Sequence, residues 1–439
     1  MQRKTMVSVL VISLMSSAGM IAAALFKPKI KIGHAEAGTY WMVTLLGAVI
    51  LLAFGFIGIE EVFSGLTADS AINPLKILAL FLAMTLMSIF LDETGFFRYL
   101  AAAVLKKAGT GQFRLFTAFF ITVSVLTAFT SNDIIILTFT PFICYFTKNA
   151  KINPIPYLVS EFVAANTSSM LLIIGNPTNI YLATASGIGF FDYLKVMALP
   201  TLFAVVAAYA VMFLLFGKKL KEPITGIAEE IKIADKPLLA VGLIFLSAAT
   251  VLLAVSAYIN LEMWLVAVVS AALLGMVALI MSAARRKKPA ELAHALTRAP
   301  WELVPFVVSM FVIVLTFEKY GVTAIMASFL GQKFPAFAYG GASALSANLI
   351  NNIPMSVLFS SVVKSLPVSV MSEAVYAVII GSNIGAYLTP VGALAGIMWL
   401  QIVKTNGIEF SFLKFVKYGL IIAVPALAAA LLGLLISLM

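Results

Sequence analysis

Two short polar stretches interrupt long apolar segments of this chain, and together they decide its fold. The first is Leu126-Thr-Ala-Phe-Thr-Ser-Asn-Asp-Ile134 and the second is Leu345-Ser-Ala-Asn-Leu-Ile-Asn-Asn-Ile353, which align without a gap at an offset of 219 residues. A further pair aligns at an offset of 217 residues: Asn166-Thr-Ser-Ser-Met-Leu-Leu-Ile-Ile-Gly175 and Asn383-Ile-Gly-Ala-Tyr-Leu-Thr-Pro-Val-Gly392. Two motifs at nearly constant spacing indicate an internal repeat.

The composition is that of a membrane protein. Of 439 residues, 62% are hydrophobic and 11% are charged, against about 45–50% and about 25% in a soluble domain. Apolar stretches of roughly 20 residues, long enough to cross a bilayer as helix, recur throughout. We therefore predict an all-α polytopic membrane protein with about ten transmembrane helices. The predicted spans are 6–26, 41–58, 75–91, 157–182, 193–216, 238–256, 262–282, 301–317, 373–402 and 412–436.

Two further apolar segments, 113–146 and 336–363, are long enough for two passes each but are broken centrally. The breaks are Ser131-Asn132-Asp133 and Asn351-Asn352. Each segment therefore reads as a re-entrant helical hairpin that enters and leaves the membrane on one side. Non-helical backbone at membrane depth needs partners for its amides and carbonyls, so both tips are expected to line a cavity.

The distribution of Lys and Arg sets the orientation. If the N-terminus is outside, most of the 29 basic residues fall on the cytoplasmic face, as they normally do. The repeats then occupy 1–216, with a cytoplasm-opening hairpin, and 238–439, with an outside-opening hairpin, joined by a cytoplasmic linker at 217–237. The halves are thus predicted to be inverted copies in the inner or plasma membrane, with both termini extracytoplasmic. Inverted repeats with broken helices are typical of alternating-access transporters.

Polar side chains concentrate at four breaks in the apolar chain: the two hairpin tips, Gly175-Asn-Pro-Thr-Asn179, and Gly381-Ser-Asn-Ile-Gly385 running on to Thr389-Pro390. Amides, hydroxyls and free backbone groups suit a polar solute, although small and polar residues also hold membrane helices together. We predict a substrate site from these residues: Ser131, Asn132, Asn166, Asn176, Thr178, Asn179, Asn351, Asn352, Ser382, Asn383 and Thr389.

Asp133 is the carboxylate that we place near the middle of the membrane, where an ionisable side chain costs at least about 2.5 kcal/mol and marks function. Its aligned mate, Asn352, is isosteric and does not titrate. We predict that Asp133 carries the coupling ion, with a helix-capping role as the alternative. Glu161 lies about one turn inside its span and is expected to reach back to the interface.

Other classes of protein fit less well. The Gly341-Ala-Ser343-Ala stretch resembles an intramembrane serine-protease motif, but both histidines fall outside the predicted spans, so no enzyme is predicted. The single cysteine, Cys144, excludes disulfides and multi-thiolate metal sites within the chain, and no cofactor is predicted. There is no phosphate-binding Gly-rich loop, and a soluble ATPase partner stays open. The basic residues cluster at span ends, which favours membrane orientation over nucleic-acid binding.

The hairpin-tip motifs, the Gly175-Asn-Pro-Thr-Asn-Ile180 run and the Gly381 to Gly392 stretch resemble those of the ion transporter superfamily. Within it they are most similar to the arsenite-efflux permeases, with sodium/dicarboxylate carriers, citrate carriers and sodium/proton antiporters as relatives. The resemblance implies a scaffold, mobile transport domains, elevator-type movement and often a homodimer. The permeases usually carry two asparagines before the hairpin aspartate, whereas this chain has Ser131 in the first of those positions.

The substrate is narrowed by chemistry. Arsenite near neutral pH is an uncharged trihydroxy solute, which suits amide and hydroxyl partners and needs no arginine. We therefore expect proton-coupled efflux of arsenite or antimonite. Sodium-coupled transport of a small dicarboxylate or other anion is the alternative, because such carriers also bind through Ser, Asn and Thr.

Overall fold

The computed structural model describes residues 2–27, 29–32, 35–68, 73–109, 111–221, 224, 233–256, 259 and 261–439. Most of the predicted linker 217–237 lies outside the described residues, as does His34. Within the described part the chain is helical except for one antiparallel pair of short strands, β1 (Lys29–Ile32) and β2 (Ala35–Gly38). The predicted all-α polytopic fold is confirmed.

The first half contains ten helices. They are α1 (Gln2–Phe26), α2 (Tyr40–Ala53), α3 (Ile59–Thr67), α4 (Pro74–Glu93), α5 (Phe96–Ala108), α6 (Gln112–Phe129), α7 (Asn132–Asn149), α8 (Ile155–Ser168), α9 (Pro177–Ala185) and α10 (Phe190–Phe216), with a 3-10 turn at Ile173–Gly175.

The second half repeats this order. It contains α11 (Lys236–Val255), α12 (Met263–Ala284), α13 (Ala290–Arg298), α14 (Leu303–Lys319), α15 (Val322–Leu330), α16 (Pro335–Ile350), α17 (Asn352–Lys364), α18 (Val368–Gly385), α19 (Leu394–Thr405) and α20 (Phe412–Ser437), with a 3-10 turn at Pro390–Gly392. Even the short amphipathic helices α3 and α13 occupy corresponding places, each just before the helix that packs centrally, α4 or α14.

Contacts between the halves come in matched pairs. Helix α2 packs on α14 as α12 packs on α4, and α7 packs on α19 as α17 packs on α9. Helix α10 packs along its own counterpart α20. Reciprocal contacts of this kind arise when two copies of one unit are related by an approximate two-fold axis.

Nine helical segments in the described part of the chain are long and apolar enough to cross a membrane. Three predicted spans differ from the observed helices. The span at 41–58 is the shorter α2, because a turn follows Ala53, and the spans at 157–182 and 373–402 are each divided into two helices by an unwound stretch.

These two unwound stretches superpose in sequence at a constant offset of 217 residues. Helices α8 and α18 end at Ser168 and Gly385, the 3-10 turns end at Gly175 and Gly392, and α9 and α19 begin at Pro177 and Leu394. Pro177 begins its helix where no amide hydrogen is needed. The second repeat motif is therefore equally spaced in sequence and in structure.

The predicted break at Gly381-Ser-Asn-Ile-Gly385 is wrong, because these residues belong to helix α18. Side chains at Gly381 and Gly385 would collide with α16, at Ser343 and Ala344 respectively. The two glycines therefore allow two helices to approach closely, as small residues four apart do in membranes, and the chain unwinds only after Gly385.

The two hairpin tips differ in length by one residue. Thr130 and Ser131 separate α6 from α7, whereas Asn351 alone separates α16 from α17 and adopts a positive φ of 72°. The helix starts consequently pair Asn132 with Asn352. The predicted pairing of Asp133 with Asn352 is therefore corrected by one position, since the ungapped sequence alignment did not include this extra residue.

Candidate functional site

The tip of the first hairpin is bonded to the first broken helix. Asn132 donates its Nδ2 to Oδ1 of Asn166 at 3.0 Å, and Asn166 donates to the carbonyl of Phe162 at 2.8 Å. Both amide side chains are buried. Because a buried polar group without a partner costs about 1–3 kcal/mol, this bond holds the tip against α8.

Asn383 joins the two broken helices to each other. Its Oδ1 accepts from Ser169 Oγ at 2.9 Å and from Asn176 Nδ2 at 3.0 Å. Its Nδ2 donates to Asn179 Oδ1 at 2.7 Å and to the carbonyl of Ile379 at 2.8 Å. Both donors and both lone pairs of this fully buried amide are thus used.

Three other predicted site residues are held around the start of α9. Asn176 Oδ1 accepts from the backbone amide and the hydroxyl of Thr178, both at 3.1 Å. Asn179 donates to the carbonyls of Ser169 and Leu172 at 2.8 and 3.2 Å. These side chains cap α9 and satisfy the unwound backbone, so they shape the site through the protein itself.

The second tip is held by the second broken helix. Asn351 donates to the carbonyl of Val391 at 3.1 Å. Asn348 donates to the carbonyls of Ala344 and Gly385 and accepts from the hydroxyl of Thr389 at 2.7 Å. Asn348 was missed as a site residue, although its place in the aligned tip motif was a signal that could have found it.

A smaller set of polar groups at the same level has no protein partner. Buried atoms without a hydrogen bond in the described structure include Ser131 Oγ, Asn132 Oδ1 and Ser382 Oγ. The side chains of Asp133 and Asn352 also make no hydrogen bond or ion pair with a described residue. The predicted site therefore separates into groups that build the frame and groups that stay open to a solute.

Asp133 is partly exposed and lies in the first turn of α7, one residue after Asn132. The N-cap of α7 is Ser131, whose side chain makes no capping bond, so Asp133 is not the cap. A carboxylate in a first turn is favoured by the helix dipole. Asp133 also lies within electrostatic reach of Tyr40 at the start of α2.

Glu161 corrects a prediction, because it does not reach the interface. Its side chain is 1% exposed. The hydroxyl of Thr140 on α7 lies 3.2 and 3.3 Å from its two oxygens, and the indole Nε1 of Trp399 on α19 donates to Oε2 at 3.2 Å. Helices α7 and α19 cover this face of α8, so the carboxyl has no route to the membrane surface.

A cavity of about 350 Å³ lies between α4, α5, α7 and α13. It is lined by α7 side chains including Thr138 and Tyr145, and by Asp92, Arg98 and Arg298. Arg298 pairs with Asp92 at 2.8 Å and also with Glu93. The cavity lies along the same helix that ends at the first tip, which makes it a path toward Asn132 and Asp133.

No group of three or more His, Cys, Asp or Glu side chains with metal-binding geometry occurs in the described ranges. The one cysteine, Cys144, is buried on α7. The open groups at the tips are amides, hydroxyls and one carboxylate, which can donate to and accept from a polar solute or hold a proton.

Comparison with known proteins gives consistent matches. A family model described as citrate transporter (CitMHS) matches residues 36–375. An arsenical pump membrane protein of Escherichia coli is 27% identical over 418 residues, covering 90% of this chain and 93% of that protein. An uncharacterized transporter of Mycobacterium tuberculosis is 26% identical over 401 residues, covering 88% and 91%.

A solved structure is similar over nearly the whole chain. The YdaH transporter of Alcanivorax borkumensis, described as having an unusual topology, superposes with a TM-score of 0.53 at 12% identity, covering 98% of this chain and 97% of that chain. At that identity the likeness concerns the fold alone.

Proposed function

Because this chain belongs to the citrate transporter (CitMHS) family, we propose that it is a secondary transporter that exports arsenite or antimonite in exchange for protons. That it is a multi-pass secondary transporter of the citrate transporter and arsenical pump family follows from the matches. The substrate, the coupling ion and the elevator-type movement are the proposal.

The observation that carries the proposal is the character of the open groups. Ser131, Asn132 and Asn352 offer neutral donors and acceptors, and no Lys, Arg or His bonds to them in the described structure. An uncharged trihydroxy solute exchanges its hydrogen bonds to water for bonds to amides and hydroxyls without leaving a charge unpaired. The name printed for the bacterial relatives supports the same substrate class.

Asp133 supplies the coupling in this scheme. It is the titratable group beside the open amides, and its carboxyl makes no bond to the protein that would hold one charge state. A proton bound at Asp133 from outside neutralises the tip for one crossing and leaves inside, while the neutral solute moves outward. Each step then conserves charge at the site.

Sodium-coupled transport of a carboxylate is the second candidate, and two observations favour it. The matching family model is described as a citrate transporter. The tips also present the N-termini of α7 and α17, and helix N-termini attract anions. In that case bound sodium would have to offset the substrate charge, since the open groups are neutral or acidic.

The movement proposed is that of an elevator. Helices α5–α10 and α15–α20 would form the mobile part and α1–α4 and α11–α14 the scaffold, in two inverted halves at 1–216 and 238–439. The reciprocal contacts of α2 with α14 and α12 with α4 support a central scaffold. A homodimer is the expected assembly. Transport driven by ATP would need a separate soluble ATPase, because the sequence has no phosphate-binding loop.

Flux into proteoliposomes tests the substrate and the coupling together. Arsenite, citrate and succinate are offered in turn under an imposed proton gradient and then a sodium gradient. We expect arsenite flux that follows the proton gradient. Sodium-driven citrate or succinate flux without arsenite flux would transfer the proposal to the second candidate. Cys144→Ser should leave arsenite flux intact, because no thiol is needed.

Orientation is tested separately with cysteines introduced for labelling. A cysteine at Lys288, next to α12, should react from the cytoplasmic side, and cysteines at Glu61 and Lys364 should react from outside. Reaction from the opposite sides would overturn the proposed topology with both termini extracytoplasmic, while leaving the substrate assignment to be judged on flux.

A further inference from the structure

Glu161 is a buried carboxyl that the proposed coupling at Asp133 does not use. It sits where three helices meet: α8, which carries it, α7 of the first hairpin, and α19, the second arm of the other broken helix. Thr140 and Trp399, its two partners, are both at most 1% exposed. An intramembrane ionisable group so enclosed is a functional candidate by default.

Trp399 is fixed in place by other rings. Phe162, Phe410 and Phe415 surround it with ring centroids 5.3, 5.1 and 5.6 Å away. An indole nitrogen only donates, so Glu161 Oε2 must accept in either charge state. The hydroxyl of Thr140 both donates and accepts, so it can bond to a carboxylate and equally to a carboxylic acid. The partners therefore suit both forms of Glu161.

No charged group contacts Glu161 in the part of the chain that the structure describes. Cys144, on α7, is the titratable side chain that senses it, and Tyr157, one turn earlier on α8, bonds to Gln112 instead. Other charged groups on the packed helices lie nearer the helix ends and make no bond to it: Arg114, Asp133, Lys148, Asp192, Lys195, Glu373 and Lys404.

A proton fits this position better than a metal cation. A bound sodium or calcium ion needs several oxygen ligands, but one Glu161 oxygen faces an N–H donor and the only other oxygen partner is Thr140. With no cation to hold the charge, desolvation favours the neutral acid here. Opening the contact between α7, α8 and α19 would admit water and favour the carboxylate.

We propose that Glu161 is a second proton-binding site, occupied while α7 and α19 are closed on α8 and emptied when they part. The inference rests on the proposed proton-coupled function for its role in transport, but proton binding itself is independent of any substrate. It couples the charge of one buried side chain to the contact between the first hairpin and the second half's broken helix.

Infrared difference spectroscopy on the reconstituted protein tests proton binding directly. A pH step should produce a carboxylic-acid C=O band that is absent in Glu161→Gln and unchanged in Glu409→Gln, a matched change at an exposed glutamate after α19. Glutamine keeps an acceptor for Trp399 and mimics the neutral form, so the fold should persist. Absence of a Glu161-dependent band across the pH range would overturn the proposal.

The transport arm separates this inference from the function on which it rests. In Glu161→Gln, net flux driven by a pH gradient should fall to the level of empty liposomes, while substrate counterflow at equal pH continues. Unchanged pH-driven flux would reduce Glu161 to a packing residue. If wild-type protein moves no arsenite but shows the infrared band, the proton site stands and the substrate assignment fails.

Discussion

The contact of α7 with α19 and the matching contact of α17 with α9 use the same helices for different chemistry. In the first, Thr140, Glu161 and Trp399 enclose a carboxyl. In the second, counting from the equivalent helix starts, Ser360 stands for Thr140 and Val378 for Glu161, and Tyr181 lies beside Ser360. The repeat has kept the packing and the hydroxyls but has a carboxyl in one half only.

The two central amides show the same asymmetry. Asn166 and Asn383 occupy equivalent places and each donates to the carbonyl four residues earlier, at 2.8 Å. Asn166 then bonds within its own half, to Asn132, whereas Asn383 bonds across to Ser169, Asn176 and Asn179. A duplicated frame thus becomes a transporter through differences placed at a few equivalent positions.

The largest expected effect comes from removing the amide that spans the halves. Asn383→Ala leaves partners at Ser169, Asn176 and Asn179 without their bond, at about 0.6 to 1.7 kcal/mol each in a membrane protein. We expect a large loss of thermal stability in detergent. Asn166→Ala, its matched control, orphans Asn132 alone and should lose much less. Equal losses would mean that the cross-half bonds carry no special weight.

Restoring symmetry by adding a carboxyl should also be costly. Val378→Glu places a second buried acid beside Ser360 and Tyr181 without an indole donor, at about 2.5–3.5 kcal/mol by insertion scales. Expression and melting temperature should fall. The reciprocal Glu161→Val removes a polar group from an apolar site and should fold normally. A stable Val378→Glu protein would contradict the view that the donors at Glu161 are specialised.

Asp133→Asn tests the proposed coupling site and should change function rather than folding. Size and hydrogen-bonding capacity are nearly preserved, and no ion pair is broken. We expect the pH-driven component of arsenite flux to disappear while binding persists, since Asn132 and Asn352 remain. Flux that still follows the pH gradient would leave Glu161 as the sole proton carrier.

The smallest effect is expected from Trp399→Phe, which keeps the ring packing but removes one hydrogen bond to Glu161. A loss of about 0.5–1.5 kcal/mol in stability follows from the bond alone. Tyr181→Phe, at the matching contact, removes a hydroxyl beside Ser360 and should cost less. A greater loss for Tyr181→Phe would show that the second contact holds more of the stability than its chemistry indicates.

The fold was largely predictable because its signals are local and periodic. Apolar runs of span length, the polar interruptions at Ser131 and Asn351, and the repeated spacing of Asn166 and Asn383 located most elements, and the resemblance to the ion transporter superfamily is confirmed by the matches. Gly381 and Gly385 were misread because a glycine that breaks a helix and one that lets two helices touch look alike in sequence.

The site was less predictable for the same reason. Polarity in an apolar chain located the residues but gave no sign of which would bond to each other. Asn176, Asn179 and Asn383 turn out to satisfy one another across more than 200 residues of sequence. Glu161 was assigned to the interface from its position in its own helix, and only the packing of α7 and α19 shows that it is enclosed.

The bonds of Asn383 to the first broken helix also bear on how the chain is made. Asn179 and Asn383 are separated by 204 residues, so a ribosome working at about 5–20 residues per second needs roughly 10–40 s to supply the second partner after the first. During that interval the amides of 169–179 must be served by water, lipid headgroups or the insertion machinery. Slowing translation between the halves should therefore increase degradation of the nascent protein, and Asn383→Ala should remove much of that sensitivity.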